Sequence, residues 1–242
     1  MRTSSIMLLV SLLLQSCSPV FYRPPAHFTP GIKSKGEKVL AINGAADQAN
    51  LQYAQGITDI LAVQSSISGC HFKSENYMFP TEGNRIYGAQ LEAGLGLYKN
   101  LGEGIHCELY GLGSVGHVTN KFRSSNSEFM GYSGELSANL YRIGIQPSIS
   151  YSNSWLNITG ALRWSTLHYD NIRGTLTDRG YSMRSTLQSM ANSSLLESSL
   201  TAQLGGKRLR LQIQLIDSRN LRYKDFPMET ANVLLGLQYR FR

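Results

Sequence analysis

The stretch Ile86-Tyr87-Gly88-Ala89-Gln90-Leu91-Glu92-Ala93-Gly94-Leu95-Gly96-Leu97-Tyr98 alternates apolar and polar residues with a period of two. Successive side chains of a strand point to opposite faces. Tyr87, Ala89, Leu91, Ala93, Leu95 and Leu97 therefore share one oily face, and Gly88, Gln90, Glu92, Gly94 and Gly96 share the other. A long strand of this kind belongs to a sheet with one apolar and one polar surface.

Nine further segments read the same way, giving strands over 38–45, 51–57, 60–70, 86–98, 105–118, 141–151, 155–169, 195–205, 209–217 and 233–241. The intervals between them alternate short and long, and the long ones include 119–140 and 170–194. Tight turns at one end and longer loops at the other mark an antiparallel up-and-down transmembrane β-barrel. Thr58-Asp59, Asn100 to Gly104, Asn153 and Gly206-Lys207 supply residues suited to reversing the chain. The class is all-β with ten strands. Eight strands preceded by a surface hairpin is the alternative, since the first two segments fall short of the roughly 9–11 residues of a tilted spanning strand.

A soluble barrel with an apolar interior has the same period, so the polar face must set the orientation. In 141–151 that face is Arg142, Gly144, Gln146, Ser148 and Ser150; in 209–217 it is Arg210, Gln212 and Gln214; in 233–241 it is Gly236, Gln238 and Arg240. A water-facing sheet would be rich in Lys and Glu, whereas Gly, Ser, Gln and Arg suit a crowded polar interior. The lumen network is read as Gln90, Glu92, Glu108, Arg142, Gln146, Arg163, Glu197, Arg210, Gln212 and Arg240. Buried charges persist when paired, because an isolated one costs several kcal/mol. Ion pairs and amide contacts filling a narrow lumen are therefore expected, and a wide diffusion pore is not. Tyr87, Tyr141, Tyr151, Trp164, Tyr239 and Phe241 are expected outside, near strand ends, at the lipid headgroup level.

The ends of the chain point to the same location. Arg2 and the apolar run from Ile6 to Leu14 make a targeting segment over 1–16, too short for a spanning helix. Leu14-Gln15-Ser16-Cys17 resembles a bacterial lipobox, which would make Cys17 the acylated first residue of a mature chain of about 226 residues, the size of one domain. Residues 17–37 carry Pro19, Pro24, Pro25 and Pro30 with Lys33 and Lys35, and read as a lipidated, extended tether. The barrel then occupies 38–242. An even strand number puts both barrel ends on one side, where the tether is expected to lie. Cys70 and Cys107 fall on non-adjacent strands, so no disulfide is expected.

Catalytic and metal signatures are weak. Ser165, His168 and Asp170 are the best nucleophile, base and carboxylate set, but on one strand Ser165 and His168 face opposite ways. His106 and Glu108 share a face, with His117 on the other, and no third ligand completes a metal site. The Gly-rich pieces lie within strands and lack the helix that a phosphate loop needs. The net charge of +7 is spread over lumen, turns and loops, which argues against nucleic acid and for outer loops that meet anionic lipopolysaccharide. No cofactor, metal or catalytic residue is expected.

Cys17 in its lipobox, Lys35-Gly36-Glu37, Leu51-Gln52-Tyr53-Ala54, Ile145-Gln146-Pro147-Ser148-Ile149 and the closing Leu235-Gly236-Leu237-Gln238-Tyr239-Arg240-Phe241 together resemble small outer-membrane β-barrel lipoproteins of Bacteroidetes. The final strand also resembles the signal read by the barrel-assembly machinery, with Arg242 following its terminal aromatic residue. The resemblance implies an outer-membrane location with a lipid-anchored N-terminus, and outer-membrane lipid, lipopolysaccharide and the assembly machinery as partners. The function expected is non-enzymatic, in envelope structure or surface recognition through the long loops. A narrow pore for small solutes and a lipid-tethered soluble ligand-binding barrel are the alternatives.

Overall fold

A computed structural model describes residues 19–74, 84–122 and 131–241. The targeting segment and Cys17 lie outside them. Ten antiparallel strands close into a barrel: β1 (Lys38–Gly44), β2 (Gln48–Gly56), β3 (Leu61–Ser74), β4 (Asn84–Gly102), β5 (Ile105–Phe122), β6 (Tyr132–Ser152), β7 (Leu156–Gly174), β10 (Asn192–Gly205), β11 (Leu209–Asn220) and β12 (Ala231–Phe241). Each pairs with its sequence neighbour, and β1 closes the ring against β12, with Lys38 opposite Phe241. Two-residue strands β8 (Thr177–Asp178) and β9 (Tyr181–Ser182) and one helix, α1 (Met183–Ser189), sit between β7 and β10.

Connections at one end are tight, at 57–60, 103–104, 153–155 and 206–208. Glu103 and Gly104 both have positive φ, 48° and 81°, the conformation of a two-residue hairpin turn whose twist matches its strands. A Cβ on Gly104 would collide with the Ser152 carbonyl oxygen, so glycine is required there. At the other end β7 and β10 are joined through 175–191, and β11 and β12 through 221–230.

Residues 86–98 form the middle of β4. Tyr87, Ala89, Leu91, Ala93, Leu95 and Leu97 are all on the exposed outer face, and Gln90, Glu92 and Gly96 are buried inside. Ile143, Ile145, Leu162, Leu200, Leu211, Leu215, Leu235 and Leu237 extend the oily exterior around the barrel. Tyr141 and Tyr151, exposed ten residues apart on β6, mark its edges. Ten residues span about 33 Å along a strand, which at the usual tilt of roughly 40° gives an apolar belt about 25 Å tall. Trp164 departs from the expected rim position: it pairs with Ile145, between those edges, and its Nε1 donates to Ser194 Oγ at 3.0 Å.

Two sequence readings are corrected. The segment read as loop 119–140 is largely wall, because β5 runs on to Phe122 and β6 starts at Tyr132, whereas 170–194 gives only its ends to the wall, β7 reaching Gly174 and β10 starting at Asn192. Beyond the belt the faces exchange character. Val118, Phe122, Leu136, Ala138, Leu140, Leu167 and Tyr169 point in and are buried, while Lys121 and Glu135 point out and pair at 2.9 Å. A strand with polar outside and apolar inside no longer matches the lipid-facing pattern.

The larger correction concerns residues 19–37. Their composition reads as a tether outside the barrel, yet residues 19–32 run through its lumen and 33–37 turn back into β1. From Pro19 to Ile32 every residue except Val20 and Arg23 is buried.

Candidate functional site

The threaded segment and the wall around it form the site, and hydrogen bonds fix the direction of travel. Val20 N–H donates to Asn120 Oδ1 (2.9 Å) near the long-loop end of β5, and Phe21 N–H donates to the Pro227 carbonyl in the β11–β12 loop (2.8 Å). Farther along, Ile32 N–H donates to Glu108 Oε1 (3.0 Å) near the opposite end of β5. Gly36 and Glu37 then bond the backbone of Gly56, beside the 57–60 turn. A Cβ on Gly56 would stand 2.5 Å from the Ser34 carbonyl oxygen, so glycine lets the segment leave the barrel against the wall. The chain therefore enters at the long-loop mouth and exits at the short-turn mouth, where it reverses into β1.

The wall supplies what water would otherwise supply to an extended backbone. Buried peptide groups need partners. Gln52 Nε2 donates to the Ala26 carbonyl (3.0 Å), and Asn50 Oδ1 accepts from Ala26 N–H (3.2 Å). Gln214 brackets His27, accepting from its N–H and donating to its carbonyl at 2.9 Å each. Gln146 donates to the Phe28 carbonyl (2.7 Å), and Arg240 to the carbonyls of Pro30 (2.8 Å) and Gly31 (2.7 Å). The prolines reduce the demand, since each lacks an N–H and holds the chain extended. The same composition that reads as a solvated linker thus suits a chain with few donors to satisfy in a narrow lumen.

Side chains fill the remaining space in three layers. At the long-loop end Phe21 and the Tyr22 ring join Ile86, Val118, Leu140, Leu167, Leu195 and Phe226 in an apolar core, with Leu187 of α1 over it. At the short-turn end Phe28 and Ile32 pack with Val39, Tyr98, Tyr110 and Leu112. Between them lies a charged layer. Arg142 reaches Glu92 (2.5 Å) and Glu197 (3.2 Å), and Arg163 reaches Glu92 (3.3 Å) and Glu197 (3.8 Å), all essentially without solvent exposure. Two guanidinium groups and two carboxylates balance to zero. Tyr22 inserts its hydroxyl, which donates to Glu197 (2.8 Å) and accepts from Arg142. His27 Nδ1 meets Ser199 Oγ at 3.0 Å, and its Nε2 lies 3.4 Å from Glu197.

Of the polar residues expected in the lumen, Glu92, Arg142, Arg163 and Glu197 meet in this layer. Gln146 joins it through Arg163 Nε (2.8 Å), and Gln90 flanks it by donating to Ser114 Oγ (2.8 Å), itself beside Arg142. The other four lie elsewhere. Glu108 holds Ile32 and sits 3.4 Å from His106; Gln212 bonds Gln203 and Asn43; Arg210 contacts the Gly206 and Asn153 carbonyls; Arg240 pairs with Glu37 at 2.6 Å. Ser165 points into the lumen, while His168 faces outward onto Asn192 (2.7 Å), so these two do not meet. Among the described residues no group of three potential metal ligands converges, and Cys70 and Cys107 are free thiols.

The sequence reading missed the threaded residues Tyr22, His27, Phe28 and Ile32. Their signal was an apolar residue in an otherwise polar, proline-spaced stretch at each depth where the wall offers inward apolar partners. An ion cluster also ties the segment to the long-loop rim: Arg23 contacts Asp47 in the β1–β2 turn (2.6 Å) and Glu229 in the β11–β12 loop.

No protein-family model and no curated protein matches the chain. Solved structures similar to it are outer-membrane barrels. The outer membrane protease OmpT from Escherichia coli shares 8% identity at a TM-score of 0.48, covering 85% of this chain and 93% of that one. The translocator domain of the autotransporter NalP from Neisseria meningitidis shares 13% identity at a TM-score of 0.48, covering 99% and 95%. A major outer membrane protein from Thermus thermophilus shares 12% identity at a TM-score of 0.38, covering 85% and 99%.

Proposed function

We propose that the chain is an outer-membrane β-barrel lipoprotein with a closed lumen, acting without catalysis in envelope structure or surface recognition through its long-loop end. The observation that carries this reading is the lumen itself. A segment of the same chain occupies it from mouth to mouth, with an apolar layer on each side of a neutral charged layer. An ion crossing it would meet dry apolar contacts twice, so the narrow-pore reading is set aside. The exterior supports the membrane placement, since leucines and isoleucines line a belt about as tall as an outer membrane's hydrocarbon region. That exterior also disfavours a soluble ligand-binding barrel. By the usual asymmetry of such barrels the tight turns face the periplasm, and 175–191 and 221–230 face outward. The lipobox at Cys17 and the resemblance to Bacteroidetes lipoproteins fit this placement.

Planar-bilayer recording on the full chain tests the proposal. The expected result is no steady conductance after insertion has been shown by heat-modifiable migration. A stable open channel in the unmodified protein would overturn it.

A further inference from the structure

We infer that the barrel carries its own N-terminus to the outer surface, so that Cys17 emerges at the long-loop mouth. Any acyl chains on it then associate with the outer leaflet rather than with the periplasmic one. The inference rests on the proposed orientation of the barrel, and on a direction of threading that is independent of it.

Reach decides the position of Cys17. Val20 is fixed by two hydrogen bonds to Asn120, one from its N–H and one to its carbonyl. Tyr169 Oη donates to the Phe21 carbonyl (2.7 Å), and Glu229 N–H donates to the Tyr22 carbonyl (2.9 Å). Cys17 is three residues before Val20. Three residues extend at most about 10 Å. The opposite mouth lies beyond Ile32, twelve residues along an extended chain, or roughly 37 Å at a polyproline rise. A leash of three residues cannot bring Cys17 back there.

Sideways escape is closed as well. All ten strands are paired around the ring, β1 with β12 over seven residue pairs, so no gap in the wall lets the segment pass. The segment and β1 are joined through the 33–37 reversal, so the only way out of the lumen for the segment is back through the short-turn mouth, with every contact along 20–32 broken. An N-terminus left at the periplasmic face would require the layered contacts of Phe21, Tyr22 and Phe28 to be absent.

The test uses single cysteines in full-length chains carrying Cys70→Ser and Cys107→Ser, with Cys17 retained. Ser18→Cys, Ser185→Cys on α1 and Lys207→Cys in a short turn are treated on intact cells with a membrane-impermeant maleimide. Heat-modifiable migration first shows that each variant has folded. The inference expects labelling of Ser18→Cys and Ser185→Cys on intact cells, and of Lys207→Cys only after the outer membrane is permeabilised. If Ser185→Cys labels on intact cells but Ser18→Cys labels only after permeabilisation, the inference falls while the orientation stands. If Lys207→Cys labels on intact cells and Ser185→Cys does not, the orientation itself is wrong and the inference falls with it. If Ser18→Cys reacts under neither condition, a short epitope inserted between Ser18 and Pro19 decides the matter: antibody binding to intact cells supports the inference, and binding only after permeabilisation overturns it.

Discussion

Replacing Glu197 with Gln should be among the most damaging single changes in the chain. Glu197 is fully buried and accepts hydrogen bonds from Tyr22 Oη, Arg142 and Ser218 Oγ, with Arg163 Nη1 3.8 Å away. With Glu197 neutral, Arg142 and Arg163 share the single carboxylate of Glu92, and the charged layer goes from zero to +1. Two unit charges about 4 Å apart interact by about 4 kcal/mol at an effective dielectric constant of 20. Measured losses on breaking buried pairs are similar, about 3–5 kcal/mol. Each 1.4 kcal/mol is a factor of ten, so the folded-to-unfolded ratio should drop on the order of a hundred- to a thousand-fold. Urea unfolding in lipid vesicles, followed by the heat-modifiable gel band, reads the change as a shift in midpoint at constant slope. Adding Arg163→Gln restores neutrality with the Arg142–Glu92 pair, so the double variant should lose less than the sum of the two singles. A Glu197→Gln cost within about 0.5 kcal/mol, the range of ordinary surface changes, would mean that the layer is open to water and that its charges need no protein partners.

Phe28→Ala removes the ring that seals the short-turn layer; it should cost about 3–5 kcal/mol in the same unfolding assay and admit brief current bursts in a planar bilayer that the parent chain lacks. Ile145→Arg places a charge on the lipid face between Tyr141 and Tyr151, where about 2–4 kcal/mol of destabilisation is expected, against near neutrality for an arginine at exposed Tyr181 beyond the belt. Burial holds the Glu229 carboxyl above its ordinary value, outweighing the lowering by Arg23. A raised folded value means that this group's stabilisation is complete below the unfolded value of 4.5 and is lost as pH rises through the folded one. Glu229→Gln removes that titration, so its urea midpoint should gain on the parent's from acid to neutral pH, and parallel curves would contradict this.

The wall was legible because membrane physics writes a simple code. Leu91 out and Gln90 in follow from a period of two and from a polar face rich in Gly, Ser, Gln and Arg rather than Lys, and the burial along β4 follows that alternation. The code fails where its assumption fails. Above the belt, Leu136, Ala138 and Leu140 turn inward beneath Phe21, and the strand looks like a loop to a rule that expects apolar residues outside. The charged layer was half legible: Arg142, Arg163, Glu92 and Glu197 were recognisable as inward charges needing partners, but nothing in their spacing says that the four meet. The threaded segment was hidden by its composition. Prolines and an extended backbone serve a solvated linker and a lumen-filling chain alike, and the difference lies in Asn50, Gln52, Gln146 and Gln214, whose inward amides await a backbone that the local sequence does not reveal.

Whether residues 19–32 lie inside the barrel can be read at Ala26, which is 1% exposed and packs with Ile216 and Leu234. Ala26→Cys in a chain lacking Cys17, Cys70 and Cys107, reconstituted in lipid vesicles and exposed to maleimide from both sides, should stay unmodified while exposed Lys35→Cys reacts, and should react once the barrel is unfolded by heating in detergent. Modification of Ala26→Cys in the folded barrel at the rate of Lys35→Cys would place the segment outside and contradict a chain-filled lumen.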